Sequence, residues 1–169
     1  GEPFGIDESW IELTGSPLLQ QKTSLEIANE IRTTVKEEVG LTVSIGVSFN
    51  KIFAKLGSDM KKPDAVTVIT RESFKDQIWP LPVSDLLYAG RATTEKIRLY
   101  GIRTIGDLAQ ADRAMLIHRL GVNGEKLWVF ANGLDQSRVM PCDYEIPIKS
   151  VGHGITCTDD LFSKDEVRH

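Results

Sequence analysis

Leu41-Thr42-Val43-Ser44-Ile45-Gly46-Val47-Ser48 alternates apolar with small or polar residues, the two-residue period of a half-buried strand. Directly after it, Asn50 to Met60 reads as a helix that Pro63 stops, and Ala65-Val66-Thr67-Val68-Ile69 reads as a further strand. Strand, helix and strand in that order point to a layer of sheet covered by helices.

The same pattern extends in both directions. Upstream, Gly15-Ser16-Pro17 is a helix start signal, and Leu25, Ala28, Ile31, Val35 and Val39 recur at helical spacing until Gly40 closes the segment. Before that, Pro3-Phe4-Gly5-Ile6 and Ser9-Trp10-Ile11-Glu12-Leu13 read as strands, and because the chain starts almost inside the first of them, more sequence is expected ahead of it. Downstream, a short helix is expected from Glu72 to Ile78. From Trp79-Pro80-Leu81-Pro82 onward strand alternation disappears, and short helical runs are separated by Gly90, Gly101, Gly106, Gly121, Gly124 and Gly133. The expectation is an α+β fold: a mixed sheet with covering helices over 1–80, a small all-helical domain over 81–135, and a linker over 136–169 that leads into something else.

Composition narrows the classes. With 41% hydrophobic and 26% charged residues, the 169-residue chain has a real core and is not disordered. No apolar run approaches the roughly 20 residues of a membrane span, and the start lacks a secretion signal, so a cytosolic protein with no membrane association is expected. A net charge of −4 argues against a free-standing nucleic-acid binder, yet the charge is uneven: residues 1–40 hold 8 acids and 3 bases, whereas 41–110 hold 7 acids and 10 bases. Cys142 and Cys157 have neither a Cys-x-x-Cys partner nor histidines at zinc spacing, and read as reduced thiols without a role. His118, His153 and His169 have no triad-like neighbours, and no catalytic histidine is expected.

Two stretches carry chemistry. Ile6-Asp7-Glu8-Ser9-Trp10-Ile11 sets two carboxylates inside an apolar strand-like run, where charge is costly unless a cation or partner compensates it. Both acids reach one ion only if the backbone turns there, which Gly5 makes plausible. Taken alone, such a pair reads more readily as a turn cap beside a solvated acid. Lys51, Lys55, Lys61 and Lys62 cluster behind the central strand, with Lys62 held against Pro63, where an ammonium suits a triphosphate; read alone they are a solvated helix face paired with Asp59 and Asp64. In the helical part, Ser84 to Ile97 reads as helix, tight turn and helix around Ala89-Gly90-Arg91, a hairpin able to aim backbone N–H groups at a phosphate. Leu120 to Leu127 looks like a second, poorer version, and Thr104-Ile105-Gly106-Asp107 has the spacing of a capping box.

In their order these pieces resemble the Y-family translesion DNA polymerases, of the DinB/UmuC/ImpB type. Ile6 to Thr14 is similar to that family's acidic palm-strand motif, and Ser44 to Lys51 with Ala54-Lys55 and Lys62-Pro63 resembles its second palm motif. Thr93 to Ile97 through Gly101 to Ala109 resembles the helix-hairpin-helix of the thumb, and Pro147 to His153 the strap toward the little finger. The resemblance implies that 1–80 is a partial palm and 81–135 a thumb, and that the complete protein adds deoxynucleotides to a primer 3′-hydroxyl by two-metal phosphoryl transfer in DNA-damage tolerance. It implies Asp7 and Glu8 as Mg²⁺ ligands, Lys62 as a contact to the incoming dNTP, and Ala89, Gly90 and Arg91 as contacts to primer-template phosphates. A sliding clamp, engaged through regions outside this chain, is a further implied partner.

The chain also departs from that pattern. The family's first metal-binding Asp belongs to a strand upstream of Gly1, so the isolated chain is expected to be inactive. Tyr88 stands where the thumb hairpin usually has its first glycine, and Asp64-Ala65 stands where an Asn-Gly usually follows the proline. A non-catalytic DNA-binding or scaffold module is the alternative, with Asp7 and Glu8 merely capping a turn; a metal nuclease would need a further acid or histidine near Asp7.

Overall fold

The computed structural model of the chain describes residues 1–141 and the backbone of 155–158 and 165–168. The chain divides into two compact units, one made of 1–70 and 136–169, the other of 71–135.

In the first unit, strands β1 (Glu2–Phe4) and β2 (Glu8–Glu12) pair antiparallel, with Phe4 opposite Glu8. The turn between them is tight, and Gly5 there takes a φ of 68°, a left-handed conformation open mainly to glycine. Ser16 then caps a short 3₁₀ turn over Pro17–Gln20. Helix α1 (Ser24–Val39) begins where the Thr23 hydroxyl accepts from the Glu26 N–H, and ends on Gly40 in the left-handed conformation. Strand β3 (Ile45–Ser48) runs parallel to β4 (Val66–Ile69), and helix α2 (Lys51–Met60), capped by the Asn50 side chain, joins them. Strands β5 (Ile155–Thr158) and β6 (Asp165–Arg168) complete a sheet of order β1-β2-β5-β6-β3-β4.

The central strand differs from the expected half-buried one. It is shorter, and all four of its residues are buried, so both of its faces are covered. Ile45 and Val47 join Val43, Leu13, Ile27 and Ala28 in the core beneath α1. The intervening Gly46 faces α2 instead, and a Cβ at that position would lie 1.9 Å from the Ala54 carbonyl oxygen. Gly57 of α2 faces it less tightly, its would-be Cβ 3.2 Å from the Gly46 Cα. The small residues of the alternation are therefore the groove into which a helix packs, and they are no solvent-facing edge. Close seating of α2 fixes where its lysines project.

The second unit holds α3 (Phe74–Ile78), α4 (Arg91–Arg98), α5 (Ile105–Gln110), α6 (Arg113–Leu120) and α7 (Val122–Ala131) around Ile78, Ile97, Ile105, Leu108, Leu116 and Leu127. Its beginning lies before the expected border at residue 80. Trp79 belongs to the helical core: its indole Nε1 donates to the Ala131 carbonyl at 3.0 Å, and its own carbonyl accepts from the Gly106 N–H at 3.0 Å. The capping box forms as read, with the Thr104 hydroxyl and the Asp107 carboxylate satisfying each other's backbone N–H groups.

The expected first helix of the Ser84 to Ile97 hairpin is only a 3₁₀ turn, Val83–Asp85. Pro82 precedes it, and Tyr88 at φ 67° leaves helical geometry before α4 begins. Helices α6 and α7 do form a pair joined by a tight turn, hinged on Gly121 at φ 67° and packed so closely that a Cβ on Gly124 would lie 2.3 Å from the Leu116 carbonyl oxygen. Two segments expected to be linker, 155–158 and 165–168, are strands of the first unit's sheet. Cys142 and the strap from Pro147 to His153 lie outside the described residues, as does the side chain of Cys157. No helix among the described residues is long and apolar enough to cross a membrane.

Candidate functional site

Asp7 and Glu8 sit at the junction between the tight turn and β2. Asp7 ends the turn and is exposed, whereas Glu8 opens the strand and is 8% exposed. Adjacent residues at a strand start take opposite faces, which accounts for the difference. A carboxylate buried to this degree needs a partner, and Lys55 of α2 supplies one at 2.9 Å from Glu8 Oε1 to Nζ, across 47 positions of sequence.

Lys55 is itself only 12% exposed, and its ammonium also binds Asp59 Oδ2 at 2.9 Å, one helical turn further on. The other oxygen of Asp59 holds Lys62 Nζ at 3.0 Å. Glu8, Lys55, Asp59 and Lys62 thus form one row of alternating charge, running from the start of β2 along α2 to the loop beyond it. The structure joins two of the sequence candidates, Glu8 and Lys62, through Lys55 and Asp59, which the sequence alone places in a lysine-rich helix face and its flanking acids. The Lys55 to Asp59 spacing of four was the visible signal for one link; the link to Glu8 exists only in the fold.

The lysine cluster otherwise separates. Lys51 is buried, 4.4 Å above the Trp10 ring and ion-paired with Glu2, while the Trp10 indole donates to the Lys51 carbonyl at 3.0 Å. Its role here is to fasten β1 and β2 to the start of α2. Asp64 does not pair with the cluster either. Its side chain takes Arg32 Nη1 and Lys36 Nζ of α1, each at 2.9 Å, and so ties the loop after Pro63 to that helix.

Asp64 has a φ of 56°, a left-handed conformation that Asp adopts more readily than most non-glycine residues. The Lys36 and Arg32 hydrogen bonds hold its carboxyl below the ordinary value of 3.8. The unfolded chain then takes up the proton first, so this contribution to stability is complete above that ordinary value and fades as the pH falls through the lowered one. Asp64→Asn is expected to cost about 1–2 kcal/mol at pH 7. In urea titrations repeated at pH 7 and pH 3, the gap between variant and wild type should narrow at the lower pH; an equal gap at both would rule the ion pair out as its source.

In the helical unit, Ala89 is buried and Gly90 is the exposed N-cap of α4, where no side chain caps the first-turn N–H groups. The Gly90 carbonyl accepts from the Thr94 hydroxyl at 2.9 Å. Arg91 is almost wholly exposed and pairs with Glu95. Just ahead, the exposed Tyr88 ring lies 4.6 Å below the Lys126 ammonium and packs against Phe130.

Asp7 and Glu8 offer hard oxygens of the kind that suit Mg²⁺, but two carboxylates, one already neutralised by Lys55, fall short of a two-metal ligand set. Among the described residues, no three His, Cys, Asp or Glu side chains gather closely enough to hold an ion.

The family profile of impB/mucB/samB matches residues 1–59, the part that carries β1 to α2. DNA polymerase IV of Acetivibrio thermocellus is 53% identical over 167 residues, covering 99% of this chain and 42% of that protein. DNA polymerase IV of Pelotomaculum thermopropionicum is 39% identical over 167 residues, 99% of this chain and 41% of its own. DNA polymerase IV 1 of Bacillus subtilis is 39% identical over 166 residues, 98% and 39% respectively. The similarity is to Y-family polymerases of the impB/mucB/samB type. The chain spans about two-fifths of the length of the relatives it matches. The similarity to those relatives continues beyond the profile through the helical unit.

Proposed function

We propose that this chain is the partial palm and the thumb of a template-directed DNA polymerase that extends primers across damaged DNA, with primer-template DNA and dNTPs as its substrates. The reading is carried above all by the 53% identity to a DNA polymerase IV over nearly the whole chain. It draws further support from the charge row, which links a buried carboxylate at the start of β2 to a lysine beside Pro63.

In this reading Asp7 and Glu8 contribute two of the carboxylates of a metal site that acids outside the described residues complete. Bound there, Mg²⁺ would lower the pKa of the primer hydroxyl and neutralise charge on the departing pyrophosphate. Lys62 binds the triphosphate as a point charge, and its loop is steadied by the Asp64 bridge to α1. Lys55 holds the Glu8 carboxylate in its orientation. The uncapped start of α4, with Gly90 and Arg91 beside it, takes a backbone phosphate of the duplex in the manner of helix N-termini. Ala89 is buried and contributes through its backbone alone.

The test is primer extension by the full-length protein that contains this chain. A labelled primer on a template should lengthen with Mg²⁺ and the complementary dNTP, while the isolated 169-residue chain should give no product above a buffer control. Duplex binding without any extension by the full-length protein would favour the non-catalytic DNA-binding module instead.

A further inference from the structure

We infer that Asp59 is a positioning residue that acts through Lys62: it occupies the lysine in the empty protein, so that an incoming polyphosphate must displace it. The inference rests on the proposed contact between Lys62 and the nucleotide triphosphate.

The geometry supplies both halves of such a device. The Asp59 carboxylate uses one oxygen for each lysine, Oδ2 for Lys55 and Oδ1 for Lys62. Lys55 is nearly buried and is anchored on its far side by Glu8, so its bond to Asp59 persists whatever Lys62 does. Lys62 and Asp59 are 38% and 41% exposed, so water and an incoming anion reach the pair. When Lys62 swings to a phosphate, Asp59 is left with a cation still bound, and the exchange costs little beyond the loss of one solvent-exposed ion pair. A triphosphate, with several charges, gains enough from Lys62 to displace Asp59. The cost of breaking the pair is common to every anion that uses Lys62, so Asp59 weakens the binding of nucleotide and of inorganic phosphate by the same modest factor. A salt bridge that only stiffened the end of α2 would have no such signature.

The experiment is steady-state primer extension by the full-length protein in four forms: wild type, Asp59→Asn, Lys62→Ala and the double variant. Asp59→Asn should lower the KM for dNTP about two- to five-fold, the range expected for one exposed ion pair, with the change falling on KM rather than on kcat. Inhibition by inorganic phosphate should strengthen in the same variant. In the Lys62→Ala background, Asp59→Asn should leave KM where Lys62→Ala put it. If Lys62→Ala raises KM but Asp59→Asn leaves it unchanged or raises it, or if Asp59→Asn acts equally in both backgrounds, Asp59 does not compete for Lys62 and the inference falls while the polymerase reading stands. If Lys62→Ala leaves KM unchanged, the proposed triphosphate contact fails and the inference fails with it. Asp59→Ala, which removes the amide as well, should repeat the Asp59→Asn result; a divergent KM would assign the effect to the new amide.

Discussion

Asp7→Ala in the full-length protein is expected to lower primer extension by about a thousand-fold, the rate equivalent of the several kcal/mol that a correctly held cation contributes to phosphoryl transfer. The structure makes this a clean experiment. Asp7 is exposed at the end of a tight turn, outside the ion row that engages Glu8, so its removal leaves the core untouched and should change stability by no more than about 0.5 kcal/mol. Melting curves of the two proteins should therefore coincide while their rates separate. Retention of near wild-type extension would remove Asp7 from the metal site, and a large drop in melting temperature would make it a structural turn residue.

The second large effect is on stability. Lys55→Met should destabilise the chain by about 3 kcal/mol, because it takes from the Glu8 carboxylate, 8% exposed, the ammonium that pairs with it at 2.9 Å. Pairing Lys55→Met with Glu8→Gln should recover much of that loss, since a buried charge that has lost a paired ammonium costs more than the pair itself contributes. Urea unfolding of the two single variants and the double variant closes this cycle. A loss below about 1 kcal/mol for Lys55→Met would mean that water screens the pair as it screens surface bridges, and Lys55 would then be no anchor for the row.

The sequence was most legible where local signals act alone. Gly40 closes α1, Asn50 caps α2, and Thr104 with Asp107 forms its box because each involves residues within a few positions of one another, whereas the start signal Gly15-Ser16-Pro17 opens only a 3₁₀ turn and α1 begins later, behind its cap Thr23. Legibility failed wherever a distant partner decides the outcome. Gly46 and Ser48 resemble the polar side of an exposed strand, and only the seating of α2 on them turns that side into buried surface. Trp79 looks like the close of the first domain because prolines follow it, yet its indole bonds to Ala131, 52 residues on. The expected helix from Ser84 shrank to a single 3₁₀ turn, with Leu86 already extended and Tyr88 left-handed before α4 begins. The candidate site divides in the same way. Asp7, Glu8 and Lys62 stood out from their surroundings, whereas the joining of Glu8 to Lys62 through Lys55 and Asp59 required the strand and the helix to be side by side.

The most direct test of the central claim is single-nucleotide addition by the full-length protein, on four templates that differ only in the base opposite the primer's next position. With Mg²⁺ present, each template should direct addition of its complementary dNMP, and the product should vanish when Asp7 and Glu8 are both replaced by alanine. Absence of any added nucleotide from the intact protein, or undiminished addition by the doubly substituted one, would contradict it.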